Sequence, residues 1–318
     1  MHTCPPPKDE LDERFEEHPT VNGGLGHTLL EQYEIDDGTL STALKTYFES
    51  AHLDARTAFH SFIGIDLHPD ADGDAPIVTY PASLEMTTRR GLFGEVLAGL
   101  LTESYEYIGD YTWNVPIFLF RYHDDACNYL FTLARDPEQT RKTIGRLGTD
   151  FIGVSVDDDG DVVRIISGEA KWRQTLTQAK VDEVMLGKWV NDGAGGRVRS
   201  GKGVWRDLNR EPSPPSGARQ LQRLLQEYDA DGFDATILCL ERALVARDPV
   251  AIPKTDLIVF AGNARPNRPE QECLLPWEAV PDEYTAGNDL QIMEVVFKGG
   301  TDLIDAIYES LWEGGDDA

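Results

Sequence analysis

Cysteine and long apolar segments are both scarce in this sequence. Its 318 residues include four cysteines, and none has a C-x-x-C partner, which argues against a disulfide framework and against a cysteine-rich zinc site. No apolar run approaches the roughly 18 to 20 residues that a membrane-spanning helix needs. The first ten residues also lack the basic start and apolar core of a secretory signal. We therefore expect a globular cytoplasmic protein with reduced thiols and no membrane partner.

The composition changes along the chain, which suggests how it is divided. The first forty or so residues are rich in proline, glycine and acidic residues, a composition typical of an extended or loosely attached arm. We assign residues 1–80 to this arm and a small α/β segment, and residues 81–318 to a core with a C-terminal α/β extension. Because predicted helices and strands alternate, the expected fold class is α/β or α+β, with a central mixed sheet flanked by helices.

Hydrophobic periodicity predicts the individual elements. Ser41 is suited to cap a helix that carries Leu44 and Phe48, and another helix begins near Ala82 with an apolar stripe that includes Phe93. Further predicted helices cover residues 127–133, 137–146, 175–189, 218–228 and 302–311. Predicted strands cover residues 62–67, 77–80, 115–121, 257–261 and 291–297, and residues 236–240 fit either state.

The most informative stretch is a predicted β-hairpin. Phe151–Val156 and Val162–Ile166 are rich in β-formers, and the acidic segment 157–161 between them contains an Asp-Gly turn signal. Antiparallel pairing about this turn places Asp150 opposite a position near Gly168. Two carboxylates nineteen positions apart, those of Asp150 and Glu169, are therefore expected to be neighbours in space.

These two carboxylates and a nearby lysine predict metal-dependent chemistry. Glu169 and Lys171 lie on one face of their strand because side chains alternate. Hydrolysis of a phosphodiester needs a divalent ion such as Mg²⁺ or Mn²⁺, which takes oxygen ligands of the kind that Asp150 and Glu169 supply. We expect Lys171, with a lowered pKa, to orient the attacking water. Glu95, on a helix packed behind the sheet, is the candidate third acid, with Glu103 and Glu106 as substitutes.

The order of these residues resembles a known superfamily. The segments R-G-L-F-G-E at 90–95, G-T-D-F at 148–151 and S-G-E-A-K-W at 167–172 are similar to the helix glutamate, strand aspartate and E-x-K of PD-(D/E)XK nucleases. The resemblance covers roughly residues 83–190, and Thr149 stands where the superfamily's name has proline. Within it, the sequence is most similar to the HamA nuclease subunits of Hachiman anti-phage systems. This resemblance implies a restriction-endonuclease-like core, cleavage of DNA, and restraint by a helicase partner.

One basic segment stands out in an acidic chain. From Lys188 to Arg223 there are eight basic residues and three acidic ones, a local balance of +5. Such a segment, with its many glycines, is suited to contact the phosphate backbone. An alternative is a mobile loop whose arginines pair with the acidic surface. The candidate nucleic-acid contacts are Arg173, Gln178, Lys188, Arg197, Arg199, Lys202 and Arg206.

The overall charge leaves more than one function open. The formal net charge of −27 repels a polyanion at long range. Either a high-salt cytoplasm screens the repulsion, within about 3 Å at molar salt, or a partner subunit brings the nucleic acid or holds this chain away from it. A non-catalytic adaptor that keeps a nuclease-like fold is the alternative function. Cleavage of RNA by the same site is a third.

Overall fold

The structure is a computed structural model that describes residues 1–63, 80–81, 84–118, 149–215, 217–246, 248–275 and 278–312. The helices predicted over 127–133 and 137–146 lie outside these residues. So do the strands predicted over 62–67 and 77–80, apart from residues 62 and 63, which end a helix, and residue 80, which lies in a turn.

In the described part of the chain, seven strands form one mixed sheet in the order β1-β2-β9-β8-β5-β4-β3. The neighbours β2, β9, β8 and β5 run parallel, whereas the pairs β1–β2, β3–β4 and β4–β5 are antiparallel. The strands are β1 Phe15–Asn22, β2 Leu25–Gln32, β3 Asn114–Phe118, β4 Phe151–Val156, β5 Val162–Arg173, β8 Lys254–Asn263 and β9 Asp289–Phe297, with a separate two-stranded hairpin of β6 Trp189–Asn191 and β7 Arg197–Arg199.

Helices cover both faces of the sheet, which confirms the predicted α/β class. They are α1 Lys8–Arg14, α2 Thr39–Ile63, α3 Met86–Ser104, α4 Gln178–Leu186, α5 Val204–Leu208, α6 Ala218–Asp229, α7 Asp234–Leu244 and α8 Gly300–Ser310. One face packs against α2, α3 and α8, and the other packs against α4 and α5 near β8 and against α6 and α7 near β4. Because both faces are covered, β8 is buried along almost its whole length.

The prediction of a loosely attached N-terminal arm is wrong. Residues 15–32 form β1 and β2, and β2 pairs with the central strand β9. Leu25, Leu29 and Leu30 of β2 are at most 1% exposed, so they belong to the core. The glycines that suggested flexibility make the tight turn between β1 and β2, where Gly23 has a φ of +62°, a left-handed conformation that glycine adopts without strain. One sheet thus includes strands from both predicted segments.

Most other elements agree with the predictions apart from their ends. The helix predicted to begin at Ser41 begins at Thr39, because the carboxylates of Asp36 and Asp37 accept its first backbone N–H groups. The predicted helix 175–189 is shorter, since Gly187 has a φ of +86° just beyond the last turn of α4. The ambiguous segment 236–240 is helical, within α7.

Candidate active site

The strand β5 carries both Glu169 and Lys171 in its last part, which pairs with β8 and extends just beyond the start of β4. Ala170 and Trp172 belong to the core on the α3 face. Because side chains alternate along a strand, Glu169 and Lys171 lie on the opposite face, as the sequence predicted.

The hairpin of β4 and β5 brings Asp150 to this pair. The register pairs Phe151 with Gly168, which agrees to within one residue with the predicted position of Asp150 near Gly168. The difference arises at a register shift between Ser155 and Val156, because an unpaired residue at a β-bulge displaces every pair beyond it. Asp150 therefore lies directly before β4, beside the E-x-K segment.

The backbone and Lys171 hold Asp150 in place. The Asp150 N–H donates to the carbonyl of Gly168 over 2.9 Å, and its carboxylate accepts the N–H of Ala170 over 2.7 Å. The Lys171 Nζ lies 3.9 Å from the Asp150 Oδ2. The same ammonium group donates to the carboxylate of Glu169, so one cation contacts two of the three predicted metal ligands.

Electrostatics distinguishes the two members of the E-x-K pair. Burial, followed by the negative charge of Asp150, raises the pKa of Glu169 above its ordinary value, although Lys171 opposes this shift. For Lys171, burial acts to lower the pKa, but the carboxylates of Asp150 and Glu169 outweigh burial and raise it. The prediction of a lowered lysine pKa is wrong for this arrangement, because the charges around Lys171 are negative. Lys171 is therefore a cation that donates hydrogen bonds.

Glu95 joins the site from the neighbouring helix. It lies on α3, and it lines a cleft of about 370 Å³ together with Asp150 and Lys171. Of the two substitutes, Glu103 is used elsewhere: its carboxylate accepts hydrogen bonds from the Tyr47 hydroxyl and, over 2.7 Å, from the Val115 N–H. The structure thus favours Glu95 as the third acid.

A second cleft adjoins the first at Lys171 and Arg173, which line both. It has a volume of about 250 Å³, and its lining includes Lys188, Lys202 and Asp207. The two lysines flank the β6–β7 hairpin, which the sequence had suggested only as a glycine-rich loop. The hairpin therefore brings positive charge to the side of the candidate site.

The other four predicted nucleic-acid contacts differ in their exposure and in the groups that they contact. Arg197 is exposed on β7, and Arg199 lies with its guanidinium carbon 4.5 Å from the ring centroid of Trp189. Arg206 is half-buried on α5. Gln178 is outside the described lining of both clefts, and its amide donates to Asp182 and to the carbonyl of Leu274.

Two residues near the site were not among the predicted site residues. Asp207, on the short helix α5, lines the second cleft and a small cavity beside Glu169, and its charge contributes to the raised pKa of Glu169. Trp189, on β6, is 50% exposed. Neither stands out in the sequence, because Asp207 lies among basic residues and Trp189 resembles the apolar end of the preceding helix.

The donor set at the candidate site suits a hard cation with retained waters. Asp150 and Glu169 supply carboxylate oxygens that contact one ammonium nitrogen, and Mg²⁺ typically takes one or two carboxylates, completing its octahedron with water and phosphate oxygens. Among the described residues, the group of three ligand atoms within 4.8 Å of one another is His27, Cys273 and Glu294, and the three acids do not form such a group. A cation here would therefore rely on water and phosphate oxygens for most of its ligands.

The His27 group has a structural explanation. The Glu294 carboxylate accepts the N–H groups of Leu274 and Leu275 and contacts the His27 Nε2 over 3.1 Å. Burial and then the charge of Glu294 raise the pKa of Cys273 to about 11, so without a metal ion its sulfur is a neutral thiol. Glu294 thus anchors the loop that follows β8.

Comparisons with known proteins assign no family to this chain. Neither protein-family models nor curated proteins match the sequence. Within the described residues, none of the helices is both long enough and apolar enough to cross a membrane.

Proposed function

We propose that this protein is a metal-dependent nuclease that hydrolyses phosphodiester bonds in DNA. The observation that carries the proposal is the convergence of four groups that are far apart in the sequence. Glu95, Asp150 and Lys171 line one cleft, and Glu169 contacts the same lysine. The Glu169 carboxylate is buried on β5, and taking a charge out of water without a functional role is costly in stability.

Each residue has a distinct part in the proposed reaction. Asp150 and Glu169 would hold the cation, with Glu95 as a further ligand or a partner of a bound water. The chemistry that such an ion would supply is charge neutralisation at the phosphate and a more acidic water. Lys171, kept charged by its acidic neighbours, donates a hydrogen bond to the attacking water or to a phosphate oxygen. Asp150 keeps its orientation through the N–H of Ala170.

Plasmid cleavage tests the proposal. We expect the purified protein to cut supercoiled and linear DNA with Mg²⁺ or Mn²⁺ and not with EDTA. Glu169→Gln and Lys171→Met should each reduce the rate by at least about a hundredfold. Asp158→Asn is the matched control, since Asp158 is exposed in the turn at the far end of the same hairpin. Equal rates in all four proteins would contradict the proposed site.

The net charge suggests how the activity is controlled. With −27 charges, the protein alone approaches DNA poorly at low ionic strength. We propose a helicase partner that restrains the nuclease and delivers DNA to it in anti-phage defence, as the resemblance to HamA implies. Cleavage by this chain alone in molar salt would favour a high-salt environment instead. Cleavage that requires a co-expressed helicase and ATP would support the partner.

The same charge is the observation that favours a second function, a non-catalytic adaptor. An acidic surface can occupy a nucleic-acid-binding partner in place of DNA. This alternative predicts no cleavage of DNA or RNA under any of these conditions, and no effect of Glu169→Gln on partner binding. If the protein cleaves RNA but not DNA, and the same variants lose this activity, the proposed site is supported and the substrate is RNA.

A further inference from the structure

The segment 187–203 forms an exposed finger beside the candidate site. All residues of β6 and most of β7 are exposed. At its tip, the Asp192 carboxylate accepts the N–H groups of Ala194 and Gly196, each over 2.8 Å. At its base, a side chain on Gly203 would lie 2.1 Å from the carbonyl oxygen of Met185, so the backbones are in close contact. The finger is therefore anchored to the end of α4.

Trp189 is the exposed aromatic residue of this finger. Trp113, Trp172 and Trp205 are 4 to 8% exposed, whereas Trp189 is 50% exposed. The guanidinium of Arg199 covers one face of its ring, with 4.5 Å between the guanidinium carbon and the ring centroid. Arg199 therefore leaves the opposite face and the edge of the indole ring uncovered.

Arg199 is itself held in position. Its guanidinium donates to the carbonyl of Gly187 over 3.2 Å and lies 3.8 Å from the Asp182 carboxylate. A fixed cation beneath an indole restricts the ring and adds a cation–π attraction. Trp189 and Arg199 are direct cross-strand neighbours in the hairpin, so the strand pairing and the cation together hold the indole in position.

The charge and position of the finger indicate what it meets. Residues 187–203 contain four basic residues and one acidic residue, a balance of +3 in a chain of −27. Lys188, the neighbour of Trp189, and Lys202 line the cleft that also contains Lys171. A flat aromatic surface on a basic finger whose base lines the cleft at Lys171 fits a nucleic-acid strand.

We propose that Trp189 stacks on an unpaired base, so that the favoured substrate carries a single-stranded DNA segment beside the scissile phosphate. Bases within an intact duplex are stacked on one another and leave no free face for an indole, whereas an unpaired base has one. This inference rests on the proposed function for the position of the cleaved bond, but the stacking itself does not depend on catalysis.

Binding measurements test the stacking without cleavage. We would measure fluorescence anisotropy of a labelled single-stranded DNA of about 16 nucleotides and of the blunt duplex with the same sequence, in EDTA. The wild type should bind the single strand more tightly than the duplex. Trp189→Ala should weaken single-strand binding by at least about fivefold, the lower end for one stacked base. Trp189→Phe, which keeps a ring, should retain most of the affinity.

Salt dependence and a matched control separate stacking from charge. Val190→Ala, a smaller exposed side chain on the same strand, should change neither affinity. The loss in Trp189→Ala should be the same at every salt concentration, because stacking releases no counterions. Equal affinities for the two DNAs, no measurable binding, or an unchanged affinity in Trp189→Ala would each overturn the inference.

The outcomes distinguish this inference from the proposed function. If binding shows a Trp189-dependent preference for single strands but the wild type does not cleave DNA in Mg²⁺ or Mn²⁺, the proposed nuclease is contradicted and the stacking surface is supported. A different outcome is that cleavage is lost in Glu169→Gln, while Trp189→Ala has the same preference as the wild type between DNA with a single-stranded overhang and blunt DNA. That result would support the nuclease and contradict the stacking. Tighter binding of single-stranded RNA than of DNA would overturn the DNA assignment.

Discussion

The carboxylate of Asp150 accepts a hydrogen bond from the backbone N–H of Ala170 over 2.7 Å. Ala170 is the residue between Glu169 and Lys171, so the middle residue of the E-x-K segment fixes the third charged group of the site. This hydrogen bond connects the start of β4 to β5. The pairing of the two strands therefore determines where the Asp150 carboxylate lies relative to Glu169 and Lys171. Several consequences of this arrangement can be measured.

Two substitutions of Asp150 should separate the effect of its charge on cleavage from the effect of its hydrogen bond on stability. Asp150→Asn keeps an oxygen that accepts the Ala170 N–H but removes the charge, so cleavage should fall by at least about a hundredfold with little change in stability. Asp150→Ala should lose activity equally and also lower the free energy of unfolding by about 1 to 3 kcal/mol, because the Ala170 N–H is left without an acceptor. Urea denaturation and plasmid cleavage check both. Equal stability of the two variants would show that this hydrogen bond contributes nothing.

Glu95 and Glu103 lie on the same helix and should respond differently. Glu95→Gln should reduce cleavage roughly 10- to 100-fold, as expected for an outer ligand. Glu103→Gln should lower the urea midpoint, because the Glu103 carboxylate holds Tyr47 and Val115, and should leave the rate per folded molecule unchanged. The opposite pattern would move the third acid from Glu95 to Glu103.

The raised pKa of Glu169 predicts two opposite pH dependences. Without a divalent ion, the folded protein binds this proton above the ordinary glutamate pKa of about 4.3, where the unfolded chain has lost it. Stability should therefore decrease as the pH rises from that value through neutrality. Metal binding must displace the proton, so affinity for Mn²⁺ should increase over the same range. Urea denaturation in EDTA and calorimetric Mn²⁺ titration measure the two. In Glu169→Gln both slopes should be smaller, and unchanged slopes would exclude Glu169 as the source.

The finger should contribute to the salt dependence of DNA binding. If Arg197 and Lys202 contact phosphates, each change to glutamine should reduce the slope of log affinity against log salt by about 0.7 to 0.9. Arg219→Gln is the control, since Arg219 is exposed on α6 outside the described lining of both clefts. Binding titrations between about 50 and 200 mM salt measure the slopes. A larger effect of Arg219→Gln would place the DNA on the α6 surface instead.

The sequence predicted much of the site because its pieces are locally encoded. Alternation in 162–173 puts Glu169 and Lys171 on one face, and the Asp-Gly turn determines within one residue where Asp150 meets them. Glu95 could be proposed only as a candidate, because the packing of α3 behind β5 depends on contacts remote in the chain. The pKa direction of Lys171 was wrong because the largest charge that raises it is that of Asp150, which strand pairing brings to the lysine.

The predictions that rested on composition were least accurate at the N-terminus and in the glycine-rich segment. Glycine and proline indicate a break in regular structure, but they do not distinguish a flexible arm from the turn of a hairpin. Residues 15–32 became strands because β9 offers a parallel partner for β2, nearly the whole chain away. The finger at 187–203 exists because its base fits closely against α4.

By itself, the sequence determined the α/β class, the β4–β5 hairpin, and the chemical character of Asp150, Glu169 and Lys171. These depend on side-chain periodicity and turn propensity, which act over a few residues. Only the tertiary structure decided that Glu95 shares a cleft with Asp150 and Lys171, that Lys171 is surrounded by negative charge, and that Trp189 is exposed and contacts Arg199. Burial and electrostatic environment arise from groups distant along the chain, which become neighbours only when the sheet is assembled.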